Sequence, residues 1–173
     1  ILGNPDLVTE EVAKKLKDNG LLSYQISLDG MKHTHNLLRG KDSFDVSIKT
    51  LKLLKKYGIR AYIMFNFQKS NIKEVFPLFD YITENDLGVI TFSRVVPTGK
   101  ARDLDLILSP LEYRDFLYSF YDRYKNQIGN GTIVLKETLF ALVMHEKGDL
   151  DFNQELGHIS TGCEAGISFL SMQ

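Results

Sequence analysis

Cysteine is almost missing from this 173-residue chain: Cys163 stands alone, so no intrachain disulfide can form, and a reducing cytoplasm is the expected location. Neither sign of charge is in excess. Lys and Arg total 21 against 22 Asp and Glu, which leaves no electrostatic footprint for nucleic acid or an anionic membrane. No apolar run approaches the roughly 18 residues that a membrane helix requires. His33, His145 and His158 fall at no paired ligand spacing and read as surface residues. Internal repeats and low-complexity tracts are lacking too. What remains is an ordinary globular composition, 43% hydrophobic and 25% charged, long enough for one domain with a real core.

Helical and strand patterns alternate along the first hundred residues. Thr9 before Glu10 and Glu11 is a good N-cap with carboxylates in the first turn, and Asn19-Gly20 stops that helix. A strand over Leu22–Leu28 follows. Ser43 then caps a helix in which Val46, Ile48, Leu51 and Leu54 recur at helical spacing, ending at Tyr57-Gly58. Ile59–Phe67 is a second strand, rich in β-branched and aromatic residues. Asn71 and Glu74 have the spacing of a capping box for a third helix, and Val89–Val96 is a third strand. Helix and strand joined by short Gly-containing turns is the period of βαβ crossovers, so the three strands should be parallel.

Beyond a charged connector the pattern changes. Ser109-Pro110 with Glu112 is a strong helix start. The following face, Tyr113, Phe116, Leu117, Phe120, Tyr121 and Tyr124, is unusually aromatic and reads first as a stripe docked on the sheet. Asn130-Gly131 marks a turn, Thr132–Leu135 a short strand and Glu137–Lys147 a last helix, with loop and an apolar run Ile167–Met172 after it. The expected division is 1–107 as an α/β unit and 108–173 as a helical C-terminal segment.

Chemistry is expected where strands end. Tyr24 to Leu28 is an apolar run that breaks at Asp29-Gly30, as a buried parallel strand does on entering a loop, and ligand sites of α/β folds lie at that edge. Each strand carries one polar side chain near its carboxyl end: Ser27, Asn66 and Arg94. An unpartnered buried polar group costs roughly 1–3 kcal/mol, so these need partners, either one another, water or a polar ligand.

Ser27-Leu28-Asp29-Gly30, then His35 and Arg39-Gly40, then Arg94-Val95-Val96-Pro97-Thr98-Gly99, then Gly162-Cys163-Glu164-Ala165-Gly166 occur in a specific order. That order resembles radical S-adenosylmethionine enzymes, in the branch that carries a cysteine-rich C-terminal extension and modifies peptides or proteins. The resemblance implies an α/β fold, the second half of a partial (β/α)6 TIM-like barrel, with a peptide or protein as substrate. It implies that Ser27 hydrogen-bonds the amino-acid end of S-adenosylmethionine, that Arg39 pairs its carboxylate, and that the backbone near Val96-Pro97 lies against the adenine. Asn66 and Arg94 join the expected cofactor-binding set, while Asp29 and His35 read as structural. The family pairs His with Asp where this chain has His35-Asn36, which weakens a proton-relay role. Cys163 resembles the first ligand of the auxiliary 4Fe-4S clusters in the extension.

The family's CxxxCxxC loop is not in these residues, and one thiolate does not hold a cluster. The opening Ile1-Leu2-Gly3-Asn4-Pro5 reads as the end of a strand and a turn. The expectation is therefore a fragment with no catalytic residue of its own and no cofactor bound by itself, self-associating through an exposed strand edge. Two other readings compete: half of a phosphate-binding barrel with Gly30 and Gly99-Lys100 around the anion, and a non-enzymatic interaction module displaying the aromatic face of 113–124.

Overall fold

Three parallel strands, β1 (Ser23–Ser27), β2 (Arg60–Phe67) and β3 (Val89–Arg94), lie side by side in chain order. The computed structural model describes residues 1–96, 105–128, 130–137 and 139–150. Helix α1 (Glu10–Asp18) precedes β1, α2 (Lys32–Arg39) and α3 (Ser43–Lys56) join β1 to β2, and α4 (Val75–Glu84) joins β2 to β3. Helices α5 (Pro110–Tyr124) and α6 (Phe140–Glu146) follow. A parallel neighbour cannot be reached by a tight turn, so each crossover returns over a face of the sheet and buries its apolar side there. The α/β alternation read from the sequence is thus the one observed.

Side-chain alternation divides the sheet into two unlike faces. Ile26, Ile63, Phe65 and Phe67 are buried and share one core with Leu51 and Leu54 of α3 and Leu78, Phe79 and Ile82 of α4. On the other face Gln25, Ser27, Tyr62, Met64, Asn66 and Ser93 are only half-buried. The register sets Ser27 beside Met64, Asn66 beside Ser93, and Phe67 beside Arg94.

Helix α5 begins as its sequence dictates. The Ser109 hydroxyl accepts from the Glu112 N–H, and the Glu112 carboxylate accepts from the Ser109 N–H. Its aromatic stripe then enters the core: the Phe120 ring meets Phe79 and Phe92 edge to face, at 5.1 and 4.8 Å between centroids. Such pairs contribute roughly 0.5–1.5 kcal/mol beyond the area they bury. The Tyr124 hydroxyl, buried with the rings, donates to Asp80 at 2.8 Å and to the Phe76 carbonyl at 3.2 Å. Tyr113, Phe116, Phe120 and Tyr124 are all buried, so the exposed aromatic face required by an interaction module does not exist.

Three local expectations are corrected. The stretch between β1 and α3 contains α2 rather than only a loop; its one buried residue is His35, which an apolar periodicity cannot register. Ser43 does not cap α3. Asp42 takes that place with left-handed backbone, φ 62°, and the Phe44 N–H is capped from the preceding helix by Asn36 Oδ1 at 2.9 Å. Asn71 and Glu74 form no capping box, and a short 3-10 turn, Ile72–Glu74, leads into α4 instead.

Both margins of the sheet are extended. Gly3 N–H donates to the Gln25 carbonyl and Gln25 N–H to the Ile1 carbonyl, a parallel bridge at Leu2. On the far side the short strand expected at Thr132–Leu135 is a bridge at Ile133, where Ile90 N–H donates to the Thr132 carbonyl and Val134 N–H to the Ile90 carbonyl. No described helix is long and apolar enough to cross a membrane.

Gly88, which turns the chain into β3, has φ 136°, and a Cβ there would stand 2.6 Å from the Ala61 carbonyl oxygen and 2.9 Å from the Ala61 Cβ. Gly88→Ala therefore combines backbone strain with a clash against the central strand. It should destabilise the fold by roughly 1–3 kcal/mol, read as a lower urea midpoint at unchanged slope.

Candidate functional site

At the carboxyl edge of the sheet, the loop after β1 is organised by Asp29. Its side chain is 5% exposed, and its two oxygens go to different elements: Oδ1 accepts the Asn66 N–H of β2 at 2.8 Å, Oδ2 accepts Arg39 Nε of α2 at 2.5 Å. The Asp29 backbone is held as firmly. Its N–H donates to His35 Nδ1 at 3.0 Å, and its carbonyl accepts from Asn71 Nδ2 at 3.0 Å. Because Nδ1 is the acceptor, the neutral ring carries its proton on Nε2. Asp29 accepts a backbone N–H from the neighbouring strand as well as a guanidinium, which a loop cap alone would not do.

The turn after β2 clamps the same loop. Asn71 is fully buried, with its amide donating to the carbonyls of both Asp29 and Asn66 and its oxygen accepting the Gln68 N–H. Glu74 reaches across to accept Met31 N–H at 2.6 Å and the Thr34 hydroxyl at 2.5 Å. Gly30 makes room for that carboxylate: it has φ 145°, and a Cβ would lie 2.5 Å from Glu74 Oε2. A carboxylate against Gly30 opposes an anion, so the phosphate-cradle reading loses that half of its site. Its other half, Gly99-Lys100, lies outside the described residues.

The predicted residues separate into two groups. Ser27 ends β1 on the half-buried face, and Asn66, one residue before the end of β2, lies on the same face, its oxygen accepting from the Ser93 hydroxyl at 2.6 Å. Neither the Asn66 NH2 nor the Ser27 hydroxyl has a partner among the described residues, so both can donate toward a ligand. Arg39 uses Nε on Asp29 and is 43% exposed, so its terminal nitrogens are accessible. These donors fit a small zwitterion with a carboxylate, the chemistry of an amino-acid end.

Arg94 falls on the opposite face, level with Phe67, with its guanidinium 5.4 Å from the Tyr113 ring centroid and Nε 3.6 Å from the Glu137 carboxylate. Burial, helped by that carboxylate, pushes the Tyr113 hydroxyl far above its ordinary range. Val96 is exposed just beyond β3. Pro97 and Cys163 lie outside the described residues.

Sequence reading did not find Asn71, Glu74 or Ser93. The Asp29 carbonyl that Asn71 holds, both partners of Glu74 and the Asn66 oxygen that Ser93 meets are more than twenty residues away in the chain, and nothing local signals them. Thr91, buried on the Ser27–Met64 row with no partner for its hydroxyl among the described residues, gives no signal in the sequence because a threonine inside a strand looks like ordinary β-propensity. Among the described residues no group of His, Cys, Asp and Glu has the arrangement of a metal site.

Burial holds the His35 imidazole below its ordinary pKa; the nearby Asp29 carboxylate opposes this shift and the Arg39 guanidinium adds to it. A base whose folded pKa is depressed contributes fully above its unfolded value, about 6.5, and that contribution is lost as pH falls through it, because the unfolded chain binds the proton first. His35→Asn, which keeps an acceptor near Nδ1 but does not titrate, should flatten the loss of stability between about pH 7 and 5, measured by urea unfolding across that range.

The comparisons agree with this geometry. The Radical SAM superfamily model matches residues 1–82. The chain is 34% identical over 98 residues to Fe-coproporphyrin III synthase of Methanosarcina barkeri, covering 56% of this chain and 25% of that protein. It is 30% identical over 95 residues to the sporulation killing factor maturation protein SkfB of Bacillus subtilis, covering 54% of this chain and 23% of that protein. Native anSMEcpe, solved with bound AdoMet and Kp18Cys peptide, superposes with a TM-score of 0.65 at 26% identity over 85% of this chain and 42% of its own. The chain thus spans only about a quarter of each of those two relatives and less than half of the solved structure. With the parallel sheet and the donors gathered at its carboxyl edge, this match identifies residues 1–82 as a Radical SAM superfamily region.

Proposed function

We propose that these residues are the carboxyl-terminal part of the barrel of a radical S-adenosylmethionine enzyme that modifies a peptide or protein. The observation that carries the reading is the convergence of Ser27, Asn66 and Arg39 on one edge of the sheet, each with a donor not used inside the described structure. Held beside a reduced 4Fe-4S cluster, S-adenosylmethionine would supply hydrogen-abstraction chemistry. The chain's own residues do the holding. Ser27 and the Asn66 amide would bond the amino-acid end, Arg39 would take the carboxylate, and the backbone near Val96 would lie against the adenine.

The cluster itself does not fit the residues present, since Cys163 is the only thiol. On this reading the CxxxCxxC loop belongs to the preceding part of a longer polypeptide. Cys163 belongs to an auxiliary cluster there, and the enzyme works in the reducing cytoplasm. On the same reading the 173 residues alone are inactive, and they self-associate through a strand edge that half a barrel leaves unpaired.

The peptide substrate is supported by the likeness to SkfB and to a structure that holds a peptide. A second reading, a tetrapyrrole substrate, is favoured by the likeness to Fe-coproporphyrin III synthase. Both are tested in the complete polypeptide with its cluster reconstituted. Arg39→Gln should raise the Kd for S-adenosylmethionine by about tenfold with the fold intact by circular dichroism. Turnover of S-adenosylmethionine should rise with candidate peptides and not with a set of iron tetrapyrroles that includes precursors of Fe-coproporphyrin III; the reverse pattern selects the second reading.

A further inference from the structure

We propose that Asp29 is a positioning residue that aims Arg39 and so makes the site selective for ligands with a free α-carboxylate. The inference rests on the reading of Arg39 given above. Asp29 is the fixed partner of the pair: its backbone is tied by His35 and Asn71, its Oδ1 by the Asn66 N–H, and its side chain is 5% exposed. Arg39, at 43% exposed and on the last turn of α2, is the partner with freedom to move. A guanidinium is planar, so anchoring Nε at 2.5 Å on Asp29 limits the plane of the whole group and leaves its two terminal nitrogens as an open fork. A carboxylate is the ligand group that matches such a fork.

The sign of the effect separates this role from simple charge. Asp29 is negative and close, so it subtracts from the field with which Arg39 attracts an anion. If Arg39 acted through charge alone, removing the Asp29 charge would tighten carboxylate binding. If Asp29 acts by aiming the fork, removing its charge loosens Arg39 and weakens binding. The clamp extends to the turn after β2, since Asn71 and Glu74 fix the loop in which Asp29 stands.

The test uses the complete polypeptide and equilibrium dialysis with two ligands, S-adenosylmethionine and its decarboxylated analogue. Asp29→Asn can still accept the Asn66 N–H and should weaken S-adenosylmethionine severalfold while leaving the decarboxylated analogue unchanged. Arg39→Lys, which leaves Asp29 untouched and keeps the charge but not the fork, should lose the same ligand by about tenfold. Asp29→Asn combined with Arg39→Gln should be no weaker than Arg39→Gln alone. Tighter or unchanged S-adenosylmethionine binding by Asp29→Asn overturns the inference, as does an equal loss for both ligands. If Arg39→Gln itself leaves S-adenosylmethionine affinity unaltered, the assignment of Arg39 falls and this inference falls with it. If Arg39→Gln weakens binding while Asp29→Asn and Arg39→Lys do not, the positioning role alone is rejected.

Discussion

One buried carboxylate holds the working edge of this molecule together. Asp29 joins the end of β1 to the backbone of β2 and to the last turn of α2. A half-satisfied carboxylate at such depth would be costly, whereas this one meets a backbone N–H and a guanidinium. The neutral His35 ring and the Asn71 amide complete the arrangement by occupying the Asp29 backbone groups. The loop is therefore set by polar contacts, while the rest of the fold is set by apolar ones.

That division of labour follows the two faces of the sheet. The helix-covered face carries Ile26, Ile63, Phe65 and Phe67 into a core that α5 extends with a cluster of aromatic rings. The other face keeps Gln25, Ser27, Tyr62 and Asn66 at intermediate burial. A sheet built this way has a rigid back and a polar front. Donors on the front then keep their spacing without help from one another, as a small charged ligand requires.

Much of this was legible in the residues themselves. The βαβ period was readable because Leu51, Leu54, Leu78, Phe79 and Ile82 repeat at helical spacing between strands rich in β-branched and aromatic side chains. The capping box of α5 was readable because both of its bonds are local. Helix α2 was not, since its inward residue is a histidine. The Asn71–Glu74 pair has capping-box spacing, yet the Asn71 oxygen is spent on the Gln68 N–H, and the Glu74 carboxylate and the Asn71 amide reach partners some forty residues upstream in the chain. Arg94 and Asn66 each looked like the polar end of a strand, but the parallel register turns them to opposite faces. Spacing in sequence carries short-range bonds well and carries none of the information about which distant group competes for the same atom.

The bridges at Leu2 and Ile133 place β1, β2 and β3 in the interior of a broader sheet, with short lengths of chain on either flank. Among them β2 is paired along both of its sides, so solvent reaches its amides only when a neighbour peels away first. The order of opening under stress runs from the outside inward. The edge that carries Asp29, anchored on the central strand, is among the last regions to lose its shape.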